Sequence, residues 1–425
     1  MDDKMTSPNI SVPTIHCRVC GSLLPPPTID LGTQALSGTF PDSPERAVPQ
    51  APLRLTNCNQ CGLVQLADTI LPDLMYNKSY GYRSGINESM RQHLECVAIE
   101  IRNLVRNGSE PACFLDIGSN DGSLMGSLKD HGWDAFGCDP SILPERQDLL
   151  SRTFSGFFSR EGIERSFGPV RFDAVSSIAM FYDLPDPVQF AKDVSLLLTD
   201  GGFWYLEQTD LRTLLDTNAF DSICHEHTEY YSFRVLQKII ETAGMQIRRV
   251  WRTDSNGSSV ACVATLAEHR LDLDDGSADA YATEEDGLIS DVGACLRQVA
   301  DSVTPLSRSI RTLVESERAQ GRRIVGLGAS TKGNTLLQTV GLTNADIEFI
   351  LDRSPAKHGC FTPGSGIPIY DEAHWDLPSN STAVVFPWHF RDSFLTRYKD
   401  FLERGGRLLF PLPTPSIVGV SRGGA

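Results

Sequence analysis

The sequence predicts an α/β protein: a small N-terminal metal-binding module followed by two tandem Rossmann-like, doubly wound domains. Two CxxCG pairs stand in a proline-rich N-terminal block, short apolar runs alternate with helical stretches in the middle, and the last third repeats that layout. Apolar runs of this length between helices are typical of buried parallel strands. We therefore expect three parts, at residues 1–75, 76–265 and 266–425.

Composition narrows the range of partners. The 425 residues carry a formal net charge of -16, which disfavours nucleic acid or an anionic membrane as a partner. No apolar run reaches the roughly 20 residues of a membrane span, and no basic and apolar leader is recognisable at the N-terminus. Four of the 11 cysteines fall in the CxxCG pairs, which fits a reducing compartment and one metal site. We expect a cytoplasmic protein, monomeric or homodimeric, with a small-molecule partner.

Each CxxCG pair predicts a metal knuckle. Two thiolates lie close together on one tight turn, and the following glycine lets backbone N–H groups approach the sulfurs. Two knuckles make a tetrahedral site of four thiolates, which suits zinc. Because sulfur fills every position and none is left for water, we expect a structural zinc held by Cys17, Cys20, Cys58 and Cys61.

A strand, a glycine-rich turn and a helix start are predicted at LDIGSNDGSL, residues 115–124. The turn lacks the full GxGxxG of dinucleotide sites. Its acidic form suits S-adenosylmethionine (SAM), which carries an ammonium and a sulfonium rather than phosphates. An acid that ends the next strand is placed to accept from ribose hydroxyls, and a later strand end would line the same site. The expected SAM contacts are Asp116, Gly118, Ser119, Asn120, Gly122, Asp139, Ser177 and Ile178. An NAD-binding module is the alternative.

The layout of the middle part recurs after residue 320. Its predicted strands are residues 112–118, 134–139, 172–177 and 202–207, and the matching segments are 324–328, 349–352, 383–389 and 405–411. Between them, residues 271–286 are acidic and poor in large apolar groups, so they predict a linker or exposed turn, and a helix is expected over about 288–319. The repeated order of four segments favours a second nucleotide-binding-type unit. The alternative explanation is that all α/β folds share such a layout.

The densest polar and aromatic cluster is CHEHTEYYS, residues 224–232. Its histidines and glutamate could bind a metal, cap a helix or remove a proton. The spacing is not HExxH and the zinc already has four sulfurs, so metal binding is disfavoured. A general base fits better because histidine titrates near neutrality. The candidates are His225, Glu226 and His227.

Two further segments are candidates for substrate contacts. Residues 76–84 form either a surface loop between domains or a contact for a sugar or phosphate, through Tyr76, Tyr80, Tyr82 and Arg83. The later turn GLGASTKGN, residues 326–334, lacks an acid and gains a lysine at a helix start, which suits an anion. Expected near it are Lys332, Asn334, Arg353, Lys357 and His389. A degenerate duplicate that is kept for packing is the alternative.

Together these segments resemble the three-domain SAM-dependent sugar C-methyltransferases that build branched deoxysugars, such as the C-3 methylases for tetronitrose, mycarose and noviose. The segments that carry the resemblance are CRVCG, CNQCGLVQL, GYRSGINESM, LDIGSNDGSL, FDSICHEHTEYYS, SNGSSV, GLGASTKGNTLLQ and PWHF. The resemblance implies a nucleotide-sugar held between the last two domains. It also implies His227 as the general base, with Glu226 and His225 as neighbours, and a substrate contact by Tyr80 or Tyr82.

Two residues depart from the family pattern. Cys224 stands where well-known members have a tyrosine, and Tyr182 stands where they have a histidine; both changes would touch the sugar pocket. The implied reaction begins with removal by His227 of a hydrogen beside a ketone, and the enolate carbon then attacks the SAM methyl group. O- or N-methylation of a sugar or natural-product scaffold is the alternative, and an oxidoreductase or non-catalytic role is a rival from another class.

Overall fold

The computed structural model describes residues 10–76, 81–105, 112–268, 273–289 and 291–419. The N-terminal part consists of short strands and one short helix, as its density of turn residues predicts: β1 (Ser11–Pro13), β2 (Ile29–Ala35), β3 (Gln50–Asn57), β4 (Val64–Leu66), β5 (Asp68–Ile70) and α1 (Pro72–Met75). Strands β2, β3 and β4 form an antiparallel sheet, and β1 pairs with β5.

The middle part is built on a seven-stranded sheet. Its strands are β6 (Cys113–Ile117), β7 (Asp134–Asp139), β8 (Thr153–Ser155), β9 (Phe172–Ile178) and β10 (Leu198–Thr209), followed after β11 (Glu229–Tyr230) by β12 (Met245–Thr253) and β13 (Ser259–Leu266). The spatial order is β8-β7-β6-β9-β10-β13-β12. Strand β13 runs in the direction opposite to that of the other six strands. The two residues of β11 leave this domain and pair with β4 of the N-terminal sheet.

Helices cover both faces of the central sheet: α2 (Glu88–Leu104), α3 (Ser123–Asp130), α4 (Gln147–Leu150), α5 (Arg160–Phe167), α6 (Pro187–Leu197) and α8 (Phe233–Thr242). Helix α7 (Leu211–Thr217) instead packs against the N-terminal sheet. Successive strand side chains point to opposite faces, so Phe203 packs in the cluster beneath α2 and α3, whereas Trp204 packs in the one beneath α6 and α8. Burial on both faces explains why the strands are continuously apolar.

The C-terminal part starts with two helices and ends in a second sheet. Its elements are α9 (Ser277–Leu288), α10 (Val292–Ala319), β14 (Arg323–Leu327), α11 (Thr331–Val340), β15 (Ile350–Asp352), β16 (Ile369–Asp371), β17 (Ser381–Val385), α12 (Arg391–Arg397), α13 (Lys399–Glu403), β18 (Arg407–Phe410) and β19 (Ser416–Gly419). The linker expected at 271–286 is wrong over most of its length, because Ser277–Leu288 is helical and packs on β12 through the buried Tyr281 and Ala282. None of the helices in the described part of the chain has the length and apolar character needed to cross a bilayer.

The two sheets repeat one local design, as the paired segments predict. In the middle part, Asp139 at the end of the second strand accepts a hydrogen bond from the backbone N–H of Asn120 at 2.9 Å. In the C-terminal part, Asp352 accepts from the N–H of Ala329 at 2.8 Å. Each acid thus ties the second strand to the turn that follows the first strand, and this places both turns at the carboxyl edges of their sheets, where α/β proteins bind ligands.

Candidate active site

The four cysteines of the two knuckles lie together. Their sulfur atoms all lie within 4.8 Å of one another, and Cys17 Sγ is 3.5 Å from Cys61 Sγ. Tetrahedral zinc with Zn–S bonds of about 2.3 Å needs sulfur separations of about 3.8 Å, so this donor set fits zinc. The glycines after the knuckles, Gly21 and Gly62, have φ of +70° and +80°, which lets each turn close without strain.

A cavity of about 1250 Å³ opens at the carboxyl edge of the central sheet, and residues of all three parts line it. The lining includes the glycine turn after β6, Asp139 and residues of the C-terminal part. The sequence-predicted residues that line the cavity are Tyr76, Tyr82, Asp116, Gly118, Ser119, Asn120, Asp139, Ile178, Tyr182, His227, Lys332 and His389.

The glycine turn forms a cradle for a ligand. Gly118 has φ of +76°, and a Cβ atom there would stand 2.9 Å from Cγ of Met180, so only glycine fits. The hydroxyl of Ser119 is buried beside it and has no hydrogen-bond partner within the described ranges. Gly122 (φ +79°) shapes the turn without lining the cavity. Ser177 also stays outside, because its hydroxyl accepts from Trp204 Nε1 at 2.9 Å inside the core.

Acidic groups surround this cradle. Burial raises the pKa of Asp116 to about 7, although the hydroxyl of Ser176 donates to it at 2.6 Å, and the charges of Asp139 and Asp121 raise the pKa further. Asp139 Oδ1 accepts from the backbone N–H groups of Ser141 and Ile142 and from the Ser141 hydroxyl, which leaves Oδ2, bound to one N–H, for a further donor. Buried acids, an unpaired hydroxyl and glycines fit the ammonium, sulfonium and ribose of SAM.

We expect SAM affinity to fall as pH drops below about 7, because Asp116 takes up a proton there and a protonated carboxyl does not attract an ammonium group. With one proton released per SAM bound, Kd should rise about tenfold per pH unit below that point and stay level above it. Isothermal titration calorimetry between about pH 5.5 and about pH 8.5 measures this. Ser176→Ala removes a donor that favours the anion, so the onset should move to higher pH. A flat Kd would contradict the assignment.

Residues 218–232, called here the junction segment, touch all three parts. The segment starts after α7, where Asn218 has φ of +49°, and ends at Ser232, which caps α8. Phe220 is buried in the core of the C-terminal part, and an N–H of His225 donates to Ala51 O in the N-terminal sheet at 3.2 Å. Glu226 accepts from the hydroxyl of Ser37 at 3.2 Å.

Of the HEH triplet, His227 alone lines the cavity. His225 and Glu226 point into the N-terminal part, and Cys224 is completely buried behind the wall. Nδ1 of His227 donates to Ser222 O at 3.2 Å, which places the ring proton on Nδ1 and leaves a lone pair on Nε2. Burial and the charge of Lys332 lower the pKa of His227 to about 3. The imidazole is therefore neutral at neutral pH and able to accept a proton.

Three tyrosines, Tyr76, Tyr82 and Tyr182, line the cavity together with His227. The ring of Tyr182 meets the imidazole edge-on, with centroids 4.4 Å apart. The hydroxyl of Tyr76 donates to Glu226 O at 3.4 Å. The carbonyl of Tyr82 accepts from Asn120, which ties this segment to the glycine turn. Arg83 pairs with Glu145 on the surface, outside the cavity, and Tyr80 lies outside the described residues.

In the C-terminal part, the structure separates the candidate substrate residues. Lys332, in the first turn of α11, and His389 line the cavity with Lys357, and no ion pair of Lys332 is found among the described residues. Asn334 is buried and donates to Ser37 O at 2.7 Å, away from the cavity. Arg353 pairs with Glu372 at 3.8 Å near the surface. Lys357 donates to Ala329 O at 2.7 Å, so its ammonium lies against the glycine turn of the C-terminal part.

Sequence reasoning missed a polar pair, His93 and Glu207, of which His93 lines the cavity. Nε2 of His93 on α2 lies 2.9 Å from the carboxylate of Glu207. Glu207 is on β10, where it pairs with Ile178 at the end of β9. Thr253 donates to the same buried carboxylate at 3.1 Å. Strand position was the available signal: Glu207 stands at the carboxyl edge of a predicted strand, where ligand contacts concentrate.

Three family models match the chain in succession. They are described as a zinc binding domain (residues 17–76), a methyltransferase domain (90–250) and a C-methyltransferase C-terminal domain (254–413). Over 96% of this chain and 97% of the relative, it is 28% identical to the C-methyltransferase NovU of Streptomyces niveus. A solved magnesium protoporphyrin IX methyltransferase of Synechocystis PCC 6803 with bound SAH shares 15% identity, with a TM-score of 0.32, over 42% of this chain and 87% of that one.

The order of the matches follows the order of the parts that the structure shows. Four thiolates in the first part fit the zinc binding model. The glycine turn with its buried acids lies in the second, methyltransferase part. The whole length aligns with one C-methyltransferase. The matches and the site together identify the chain as a SAM-dependent C-methyltransferase with an N-terminal zinc-binding domain and a C-methyltransferase C-terminal domain.

Proposed function

We propose that this enzyme methylates the carbon beside a ketone in a nucleotide-linked deoxysugar, with His227 as the general base. The observation that carries the proposal is the orientation of His227. Its Nδ1–H is bound to Ser222 O, so the free Nε2 lone pair belongs to a cavity-lining imidazole. A hydrogen on a carbon beside a ketone is acidic enough for a positioned histidine to remove.

The chain's own groups divide the cavity between two ligands. Asp116, Ser119, Asn120 and Asp139 would hold SAM by its ammonium and ribose, and the bound cofactor would supply an electrophilic methyl group on a positive sulfur. Lys332 at the start of α11 would hold the diphosphate of a nucleotide-sugar, because a helix N-terminus and an ammonium both attract phosphate. The aromatic wall of Tyr182 and Tyr82 suits a sugar ring between these two ends.

Binding of an anion at Lys332 would also strengthen the base. The ammonium charge of Lys332 is one of the two causes that lower the pKa of His227. A paired phosphate cancels that charge, so the imidazole becomes more basic when substrate is present. In the proton-transfer step the C–H electron pair stays on the substrate as an enolate, the proton moves to Nε2, and a nearby hydroxyl donor such as Tyr82 stabilises the enolate oxygen.

A nucleotide 4-keto-6-deoxysugar deuterated beside the ketone tests the proposal. Incubated with enzyme and SAM, it should lose the deuterium as it gains one methyl group, which mass spectrometry of the product reports directly. A panel with different nucleotides and deoxygenation patterns identifies the preferred acceptor. A methylated product that retains the deuterium would indicate O- or N-methylation and overturn the proposal, as would the absence of product on every keto-sugar with SAM bound.

A further inference from the structure

An arginine from the first zinc knuckle reaches the chain beside His227. Arg18 lies between Cys17 and Cys20, but its side chain is only 5% exposed and points inward. Its Nε lies 3.3 Å from Oε1 of Glu229, and Nη1 donates to Thr228 O at 3.4 Å. These two acceptors belong to the residues that directly follow His227. The remaining donors of Arg18 bind Leu66 O, Thr14 and Thr69 of the N-terminal part.

Arg18 is the cationic partner of Glu229. Its carboxylate is fully buried, and within the described ranges Arg18 is its sole ion-pair partner. Burial raises the pKa of Glu229 to about 8 although the charge of Arg18 lowers it, so loss of Arg18 would leave a buried, protonated carboxyl group without its cationic partner. The other oxygen of Glu229 lies 2.6 Å from the hydroxyl of Thr228. Arg18 therefore helps to hold both residues in place, together with the Tyr231 hydroxyl and the backbone of Leu184, which also hydrogen-bond to Glu229.

The same contacts hold the wall opposite His227. The hydroxyl of Thr228 lies 3.1 Å from Tyr182 O and 3.2 Å from Leu184 O, and the ring of Tyr182 packs against His227. A shift of Thr228 would thus move both His227 and the neighbouring ring of Tyr182.

Backbone pairing joins the second knuckle to this region. Strand β4 starts three residues after Cys61, and its Val64 and Gln65 pair with Tyr230 and Glu229 of β11. The side chain of Gln65 accepts from the backbone N–H of Arg18 at 3.0 Å. Both knuckles therefore contact the few residues that follow His227, one through a side chain and one through a strand.

We propose that Arg18 is a positioning residue. Through its contacts with Thr228 and Glu229, it holds His227 at a fixed position relative to the zinc knuckles. The inference rests on the proposed role of His227. It assigns the zinc-binding domain a part in aligning the base, in addition to its own stability. Because misplacement of a catalytic group by about 1 Å can lower a rate about 10²-fold, a loosened support should reduce turnover without changing cofactor affinity.

The test compares Arg18→Met with Arg54→Met. Arg54 makes a two-pronged ion pair with the buried Asp68 at 2.9 and 2.8 Å in the same N-terminal part, with no contact to residues 227–229 in the described structure. We expect Arg18→Met to lower kcat by at least about tenfold, with full zinc content by elemental analysis and an unchanged Kd for SAM. Amide hydrogen exchange over residues 225–231 should accelerate in this variant alone, and Arg54→Met should keep its kcat.

Arg18→Lys keeps a charge beside Glu229 and should recover part of the lost kcat; it also serves the comparison if Arg18→Met does not fold. Unchanged exchange and unchanged kcat in a folded, zinc-loaded Arg18→Met protein would overturn the inference. Equal losses of kcat in Arg54→Met would also overturn it, by making the effect one of general stability. Faster exchange with kcat intact would support Arg18 as the support of the segment and overturn the base role of His227 instead.

Discussion

His227→Gln is expected to lower kcat for methyl transfer by about 10²- to 10⁴-fold, the usual contribution of a general base. Glutamine retains a donor for Ser222 O but has no basic nitrogen to face the cavity. The Kd for SAM should stay unchanged, because the acids that surround the glycine turn are untouched. Initial rates at saturating SAM, together with calorimetric SAM binding, separate the two effects.

His225→Gln is the matched control. That imidazole lies two residues away, is buried against Ala51 O and does not line the cavity. The His225→Gln substitution should reduce the free energy of unfolding. At a temperature where the variant is folded, its kcat should not fall comparably. If both substitutions cause equal losses of kcat, or if His227→Gln retains wild-type turnover, another group removes the proton.

The pH profile provides a second criterion. With its pKa lowered to about 3, His227 in the free enzyme stays neutral from about pH 5 upward and contributes no acid limb there. Its proton uptake would lie below that range, whereas the proton uptake of Asp116 near 7 weakens SAM binding. The acid limb that Asp116 causes in kcat/KM for SAM should therefore disappear from kcat measured at saturating SAM.

Cys58→Ser is expected to have the second large effect: loss of zinc and collapse of the N-terminal part. Structural zinc in small domains contributes on the order of 10 kcal/mol of apparent binding free energy at neutral pH, far more than most single substitutions remove. Cys58 is buried among the other three sulfurs and packs in the main core. Elemental analysis should show zinc falling from one equivalent to nearly none, with a lower Tm and lost activity.

Cys96→Ser is the control, because that thiol is exposed on α2. It should leave zinc content, Tm and kcat unchanged. A Cys58→Ser protein that retains one zinc and the wild-type Tm would show that these sulfurs do not hold the metal.

Much of the fold and part of the site could be predicted because the relevant residues are contiguous. The knuckle cysteines and the glycine turn each lie within a few residues, and local backbone geometry alone brings their atoms together. The strand segments were recognisable because burial on both faces demands continuous apolar runs. The prediction for residues 271–286 was wrong because their helix buries only Tyr281, Ala282 and Glu285, so that most of its residues are polar and exposed, as in a linker.

The remaining site depends on the direction of side chains, which the sequence does not encode locally. His225, Glu226 and His227 are adjacent, yet they point into different surroundings because the junction segment has three neighbours. Asn334 follows Lys332 by two positions, and in a helix such residues do not share a face. Arg18 and Lys357 reach the active region from distant parts of the chain.

The pairing of β11 with β4 also bears on how the protein is made. At synthesis rates of roughly 5–20 residues per second, the N-terminal sheet waits on the order of 10 to 30 s between translation of Leu66 and of Tyr230. Until then the edge of β4 is open, and an unpaired strand edge invites association with other chains. The N-terminal sheet is therefore completed only by the junction segment, and a fragment that ends before residue 218 is expected to associate with other chains through the open edge of β4.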